Sequence, residues 1–172
     1  MHPTHIPLRL TTGAFILNSG ISKLGADAQT AQGIHGMATT AYPMFKPMKP
    51  KDFTELLAYG EIALGATLLI PKVPSGVAGT VLAGFGAALL GLYWQVPGLR
   101  QENSIRPTPD GLAIAKDSWL VAAGVTLAMQ SALGAATSAA KSATGSAKGL
   151  ASDLSSGAKD LTTSAKDAIS LH

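Results

Sequence analysis

A carboxylate inside an apolar run is the group of this sequence best able to do chemistry, and Glu61 is that group. It sits within the run 53–70, where a charge at mid-membrane depth costs roughly 2.5–3.5 kcal/mol, so it demands a partner or a function. At ~1.5 Å rise per residue Glu61 lies about 14 Å from the Pro71 end of its helix, and Asn18 a similar distance from the start of the first apolar run. Antiparallel neighbours of that kind bring Asn18 and Glu61 to one depth. Thr11, Asn18 and Ser22 fall at i, i+7 and i+11, one helix face, and offer Glu61 a polar wall. Arg9, nearer the interface, reaches Glu61 only if the helices tilt. Arg9, Asn18, Ser22 and Glu61 therefore form the candidate intramembrane polar cluster. One reading makes Glu61 a protonated or hydrogen-bonded packing contact that fixes helix register. The other makes it a proton-responsive or ligand-orienting carboxylate in a pocket opening toward Arg9.

A second polar group, Trp94, Gln95, Lys116, Asp117 and Trp119, gathers where the third apolar run ends and the fourth begins. An interfacial cap explains it, with Asp117 beside Lys116 and the indoles at headgroup level. Histidine supplies little: His2 and His5 are three apart, His35 and His172 stand alone, and none has carboxylates at ligand spacing, so no metal site is expected. There is no Gly-rich phosphate loop, nucleophile elbow or paired catalytic carboxylate, hence no catalytic residue to name. The absence of cysteine removes disulfides and thiol redox chemistry. An enzyme acting alone is not expected, and no bound cofactor is required.

The elements that must position these groups follow from composition. Only 13% of the 172 residues are charged, against 47% hydrophobic and 5% aromatic; a soluble surface normally needs about a quarter charged. Four runs approach the ~20 residues that cross a ~30 Å hydrocarbon core: 7–24, 53–70, 74–94 and 117–135. Pro7 suits a first helical turn, Asp52 an N-cap, and the short 71–74 link an antiparallel hairpin. Tyr93 and Trp94 end the third run and Trp119 opens the fourth, all on one side of the membrane. The third run carries Gly79, Ala83, Ala87 and Gly91 at a spacing of four, a helix-packing seam used inside the bundle or between two copies. The segment between the first two runs predicts an interfacial helix over 28–38 and an extended Pro-Lys stretch. Beyond residue 136 the chain turns to Ala, Ser, Thr, Gly and Lys, and glycines at 145, 149 and 157 predict disorder with transient helix. The expected fold is all-α: a transmembrane four-helix bundle over 1–136 with a polar, partly helical or disordered tail over 137–172.

The loops between the first and second runs and between the third and fourth carry more Lys and Arg than the opposite side. That favours these loops in the cytoplasm and both termini outside. The basic residues, +3 net, are scattered singly without aromatic interleaving, which excludes a nucleic-acid stripe. The expected partners are the lipid bilayer and another membrane protein or a second copy.

The run Arg9-Leu10-Thr11-Thr12-Gly13-Ala14-Phe15, followed by Gly20 and Lys23-Leu24, resembles the opening helix of DoxX-like membrane proteins. Glu61, Gly65 and Leu68-Leu69 resemble that family's second helix. The resemblance covers roughly 8–134 and leaves out the tail. It implies a four-helix bundle in a bacterial plasma membrane and, by association, an accessory or scaffold role beside a respiratory or redox complex, or quinone-linked redox chemistry.

Overall fold

A computed structural model describes residues 5–170; His2 and His172 lie outside the described residues. The described chain is all-helical: α1 His5–Leu24, α2 Ala28–Ala41, a 3-10 turn Pro43–Phe45, α3 Pro50–Leu69, α4 Ser75–Gln95, α5 Leu112–Lys116 and α6 Ser118–Ser170. It forms two units, one up to Ser131 and one from Ala132 onward.

Local chemistry sets most boundaries of the first unit. Asp27 caps α2 by accepting from the Thr30 backbone N–H at 2.7 Å, which holds its carboxyl below the ordinary carboxylate range. Pro50 begins α3, because proline lacks the N–H that a first turn would leave unbonded anyway. The helix therefore starts earlier than the sequence predicts: Lys49 takes the cap position and Asp52 falls in the first turn. The short link before Pro74 turns α3 back into α4.

Apolar residues of four helices meet in one core. Ile16 of α1, Leu64 and Leu68 of α3, Ala78 and Leu82 of α4, and Leu120 and Leu127 of α6 are all buried together. Two close approaches make this possible. Where α1 crosses α3, a Cβ on Gly65 would lie 2.7 Å from the Leu17 nitrogen, and one on Gly20 2.7 Å from the Ala58 oxygen. Where α4 crosses α6, a Cβ on Gly79 would lie 2.6 Å from the Gly124 oxygen. These are backbone atoms and cannot step aside, so Gly65→Val should lower stability by about 1–3 kcal/mol, the usual cost of overpacking. Thermal unfolding in detergent measures it; an unchanged midpoint would mean that α1 and α3 separate readily.

Among the described residues two helical stretches are long and apolar enough to cross a membrane, Ser75–Gln95 and Leu112–Gly157, with 18-residue windows of mean hydropathy 1.7 and 1.4. The sequence predicts four. α1 and α3 do not meet the same measure, because α1 carries Arg9, Asn18 and Lys23 and α3 carries Lys51, Asp52, Glu55 and Glu61.

In the second unit α6 continues as helix where disorder with transient helix is expected from the glycines. Its hydroxyls bond back one turn, as Thr137 does to the Leu133 carbonyl at 2.8 Å and Thr144 to the Ala140 carbonyl at 2.9 Å, which satisfies them without a partner outside the helix. Residues 132–157 are exposed throughout.

Candidate functional site

The face that α1 turns to α3 is read by burial: Arg9, Thr12, Gly13, Ile16 and Gly20 are buried. Their three- and four-residue steps are the signature of one helix face. Thr11, Asn18 and Ser22 lie off that face and are exposed. Their hydroxyls are satisfied locally, Thr11 by the Pro7 carbonyl at 2.9 Å and Ser22 by the Ser19 carbonyl at 2.8 Å. The polar wall expected for Glu61 is therefore on a different side of the helix.

Glu61 finds its partner in Lys23. The two form an ion pair of 2.7 Å, with Glu61 only 4% exposed and Lys23 largely covered. Side chains on a helix lean toward its N-terminus, so the Lys23 stem runs back one turn from the end of α1. Its ammonium also donates to the Ser19 hydroxyl at 2.7 Å and the Ser19 carbonyl at 3.3 Å. These three acceptors use all three of its protons. One carboxylate oxygen of Glu61 holds the lysine, while the other accepts no hydrogen bond among the described residues.

This pair lies on the wall of a cavity of about 920 Å³. The cavity is bounded by α1, α2, α3, α4, α5 and the start of α6, all within the first unit. Its lining is mainly apolar, and its aromatic members are Phe15, Tyr42, Phe45, Phe53 and Phe85. The Phe45 and Phe53 rings pack at a tilt of 56° with 4.9 Å between their centres, and the His35 ring meets Phe53 edge-on at 5.5 Å. His35 Nε2 donates to the Phe45 carbonyl at 3.1 Å, which fastens α2 to this aromatic wall. Tyr42 crosses to α4 and donates to the Ala88 carbonyl at 2.8 Å, lying in the space that a side chain at Gly91 would fill.

Asp117 belongs to this cavity. It lines it, is partly buried, and is close enough to feel the charges of both Glu61 and Lys23. It makes no ion pair with Lys116, which is exposed. The interfacial cluster is thus divided. Trp94 is exposed under the Arg100 guanidinium, 4.5 Å from its ring centre, Gln95 is exposed, and Trp119 packs edge-on against Phe15 at 5.5 Å. Tyr93 is buried, and its hydroxyl clamps the following loop by donating to the Ile105 carbonyl, 2.6 Å away.

Arg9 lies at the opposite end of α3 from its N-terminus and does not touch Glu61. Its Nε donates to the Leu68 carbonyl at 2.7 Å, Nη2 to the Thr67 and Ile70 carbonyls at 2.9 Å each, and Nη1 to the Val73 carbonyl at 2.8 Å and the Ser75 hydroxyl at 3.2 Å. A helix end leaves its last carbonyls without intrahelical donors, and the planar five-donor fork of arginine answers that need. The negative end of the α3 dipole adds to the attraction. Spacing gave one usable sign of both roles, since Arg9, Ile16, Gly20 and Lys23 share a helical stripe.

The small-residue seam is also divided. Gly79 and Ala83 face Gly124 of α6, Gly91 faces Tyr42, and Ala87 is exposed. Gly86, absent from the four-residue pattern, packs on Val121. No protein-family model, curated protein or solved structure matches the chain.

Proposed function

We propose that the chain is a multi-pass membrane protein of the DoxX-like type, crossing a bacterial inner membrane four times. Its function is to hold a small lipophilic molecule, a quinone among those of suitable size, beside Lys23 and Glu61. The carrying observation is the apolar cavity with a buried ion pair on its wall. Such a cavity falls in the size range of small-molecule sites, roughly 300–1,000 Å³, and has their usual mix of apolar lining and few polar groups.

Support for the membrane setting comes from how little of the apolar surface is used internally. Only 22% of an 18-residue window in each of the two most apolar helical stretches is buried. A core helix of a water-soluble protein buries most of such a stretch. Val77, Val125 and Met129 instead face outward, where lipid would solvate them. Seven of the residues carrying the DoxX resemblance lie in the α1–α3 contact and the turn after it: Arg9, Gly13, Gly20, Lys23, Glu61, Gly65 and Leu68. A non-catalytic accessory or scaffold role in a membrane complex is the second reading, favoured by the exposed helix over 132–157, which offers a partner a long surface.

Gly84 provides the test. It lines the cavity, and a Cβ there meets nothing within 4 Å, so Gly84→Trp should fill the site without forcing the backbone. Organic extraction and mass spectrometry of protein purified from native membranes should yield a lipophilic molecule at near one copy per chain from the wild type, and much less from Gly84→Trp. Equal recovery from both would remove the cavity from the proposal.

A further inference from the structure

Charge bookkeeping in the cavity narrows its occupant, given the ligand-binding role proposed above. Three ionisable groups meet there: the Lys23 ammonium and the carboxylates of Glu61 and Asp117. The ammonium is fully committed to Ser19 and Glu61. What the cavity still offers is acceptor capacity: the second oxygen of Glu61, and both oxygens of Asp117, which take no hydrogen bond among the described residues. With all three groups charged, carboxylate outnumbers ammonium by one. An excess negative charge in an apolar surround is costly unless it is neutralised.

The walls point the same way. Phe15, Phe45, Phe53, Phe85 and Tyr42 present rings to the cavity. Aromatic faces carry negative potential and attract cations, more strongly where water is excluded. A ligand that only accepts hydrogen bonds, such as an oxidised quinone, would meet acceptors on the polar side and find the lysine protons taken.

We infer that the cavity binds a lipophilic monocation, its positive centre set between Glu61 and Asp117 and its apolar body against the aromatic wall. The ligand neutralises the surplus carboxylate and leaves the Lys23–Glu61 pair in place.

Tetraphenylphosphonium and tetraphenylborate have nearly the same shape and opposite charge, which makes them suitable probes. Saturable binding of each, and of the neutral decylubiquinone, is measured on the purified full-length protein in detergent against protein-free micelles. Tetraphenylphosphonium should bind at least about tenfold more tightly than tetraphenylborate, and Asp117→Asn and Glu61→Gln should each weaken it by about tenfold, the loss of one nearby charge. The Asp117 side chain makes no hydrogen bond among the described residues, and its backbone bonds survive the change, so Asp117→Asn serves even if Glu61→Gln does not fold. Equal or tighter borate binding, or phosphonium binding unchanged in a folded Asp117→Asn, would overturn the inference. Binding of decylubiquinone alone would overturn it too, while leaving the lipophilic pocket standing. Failure of all three probes, with nothing recovered by extraction, would remove the pocket itself.

Discussion

Arg9→Met should remove a large share of the protein's stability. Methionine preserves an unbranched apolar stem but removes every donor, so the carbonyls of Thr67, Leu68, Ile70 and Val73 lose the fork that satisfies them. Each carbonyl left buried without a donor costs about 1–3 kcal/mol. Some regain partners by relaxation or from water at the helix end, so a net loss of about 3–5 kcal/mol is expected, comparable with breaking a buried charge network. That is a large share of a typical total stability of about 5–15 kcal/mol. Arg9→Lys should recover only a minor part, because a point ammonium with three protons cannot span acceptors on both sides of the α3–α4 turn. Protease survival in membranes and the unfolding midpoint in detergent measure both variants. A fully stable Arg9→Met would mean that these carbonyls are satisfied by other donors.

The Lys23–Glu61 pair should give the second large effect, with a distinctive pattern. Lys23→Met leaves a carboxylate buried beside apolar residues, and Glu61→Met leaves an ammonium there. Each single change should cost about 3 kcal/mol, toward the low end for a buried pair because the lysine keeps some exposure. The double change removes both members of the pair, so it should cost less than the two together, with a coupling of about 1–3 kcal/mol. Strict additivity in this cycle would indicate that the two charges do not depend on each other.

Much of the architecture is legible in the sequence. The proline-marked hairpin at 71–74, the Ala-rich segment that becomes α2 and the end of α1 at Leu24 all follow from local signals. The polar site is less so, for two physical reasons. Matching Asn18 to Glu61 by Cα depth ignores the length of lysine: Lys23 starts a turn nearer the helix end and reaches back to the same level. Choosing the face of α1 by its polar residues assumes that Thr11, Asn18 and Ser22 need shelter from lipid. Hydroxyls near a helix end can instead bond their own backbone, as Thr11 and Ser22 do, and the buried face belongs to small and apolar residues around Arg9 and Lys23. Asp117 escaped because its sequence neighbour Lys116 looks like a partner, whereas α5 ends there and turns it toward the cavity.

The same lesson applies to Gly86 and Tyr42. A strict four-residue stripe points at Gly79, Ala83, Ala87 and Gly91, but an α-helix repeats every 3.6 residues, so the contact with α6 drifts from Ala87 to Gly86. Tyr42 lies in a loop whose place against α4 no local pattern encodes; its hydroxyl meets the Ala88 carbonyl at a separation of 46 residues.

Everything functional here depends on α1, α3, α4 and the start of α6 passing through a bilayer, and the absence of cysteine allows a direct check. Single cysteines at Gly25, Lys72 and Glu102 lie in the successive links between those helices. Intact cells are treated with a membrane-impermeant maleimide, then again after the membrane is opened. Gly25→Cys and Glu102→Cys should behave alike, and Lys72→Cys should label from the opposite side. Identical labelling of all three positions, or recovery of the protein in the soluble fraction, would contradict four crossings.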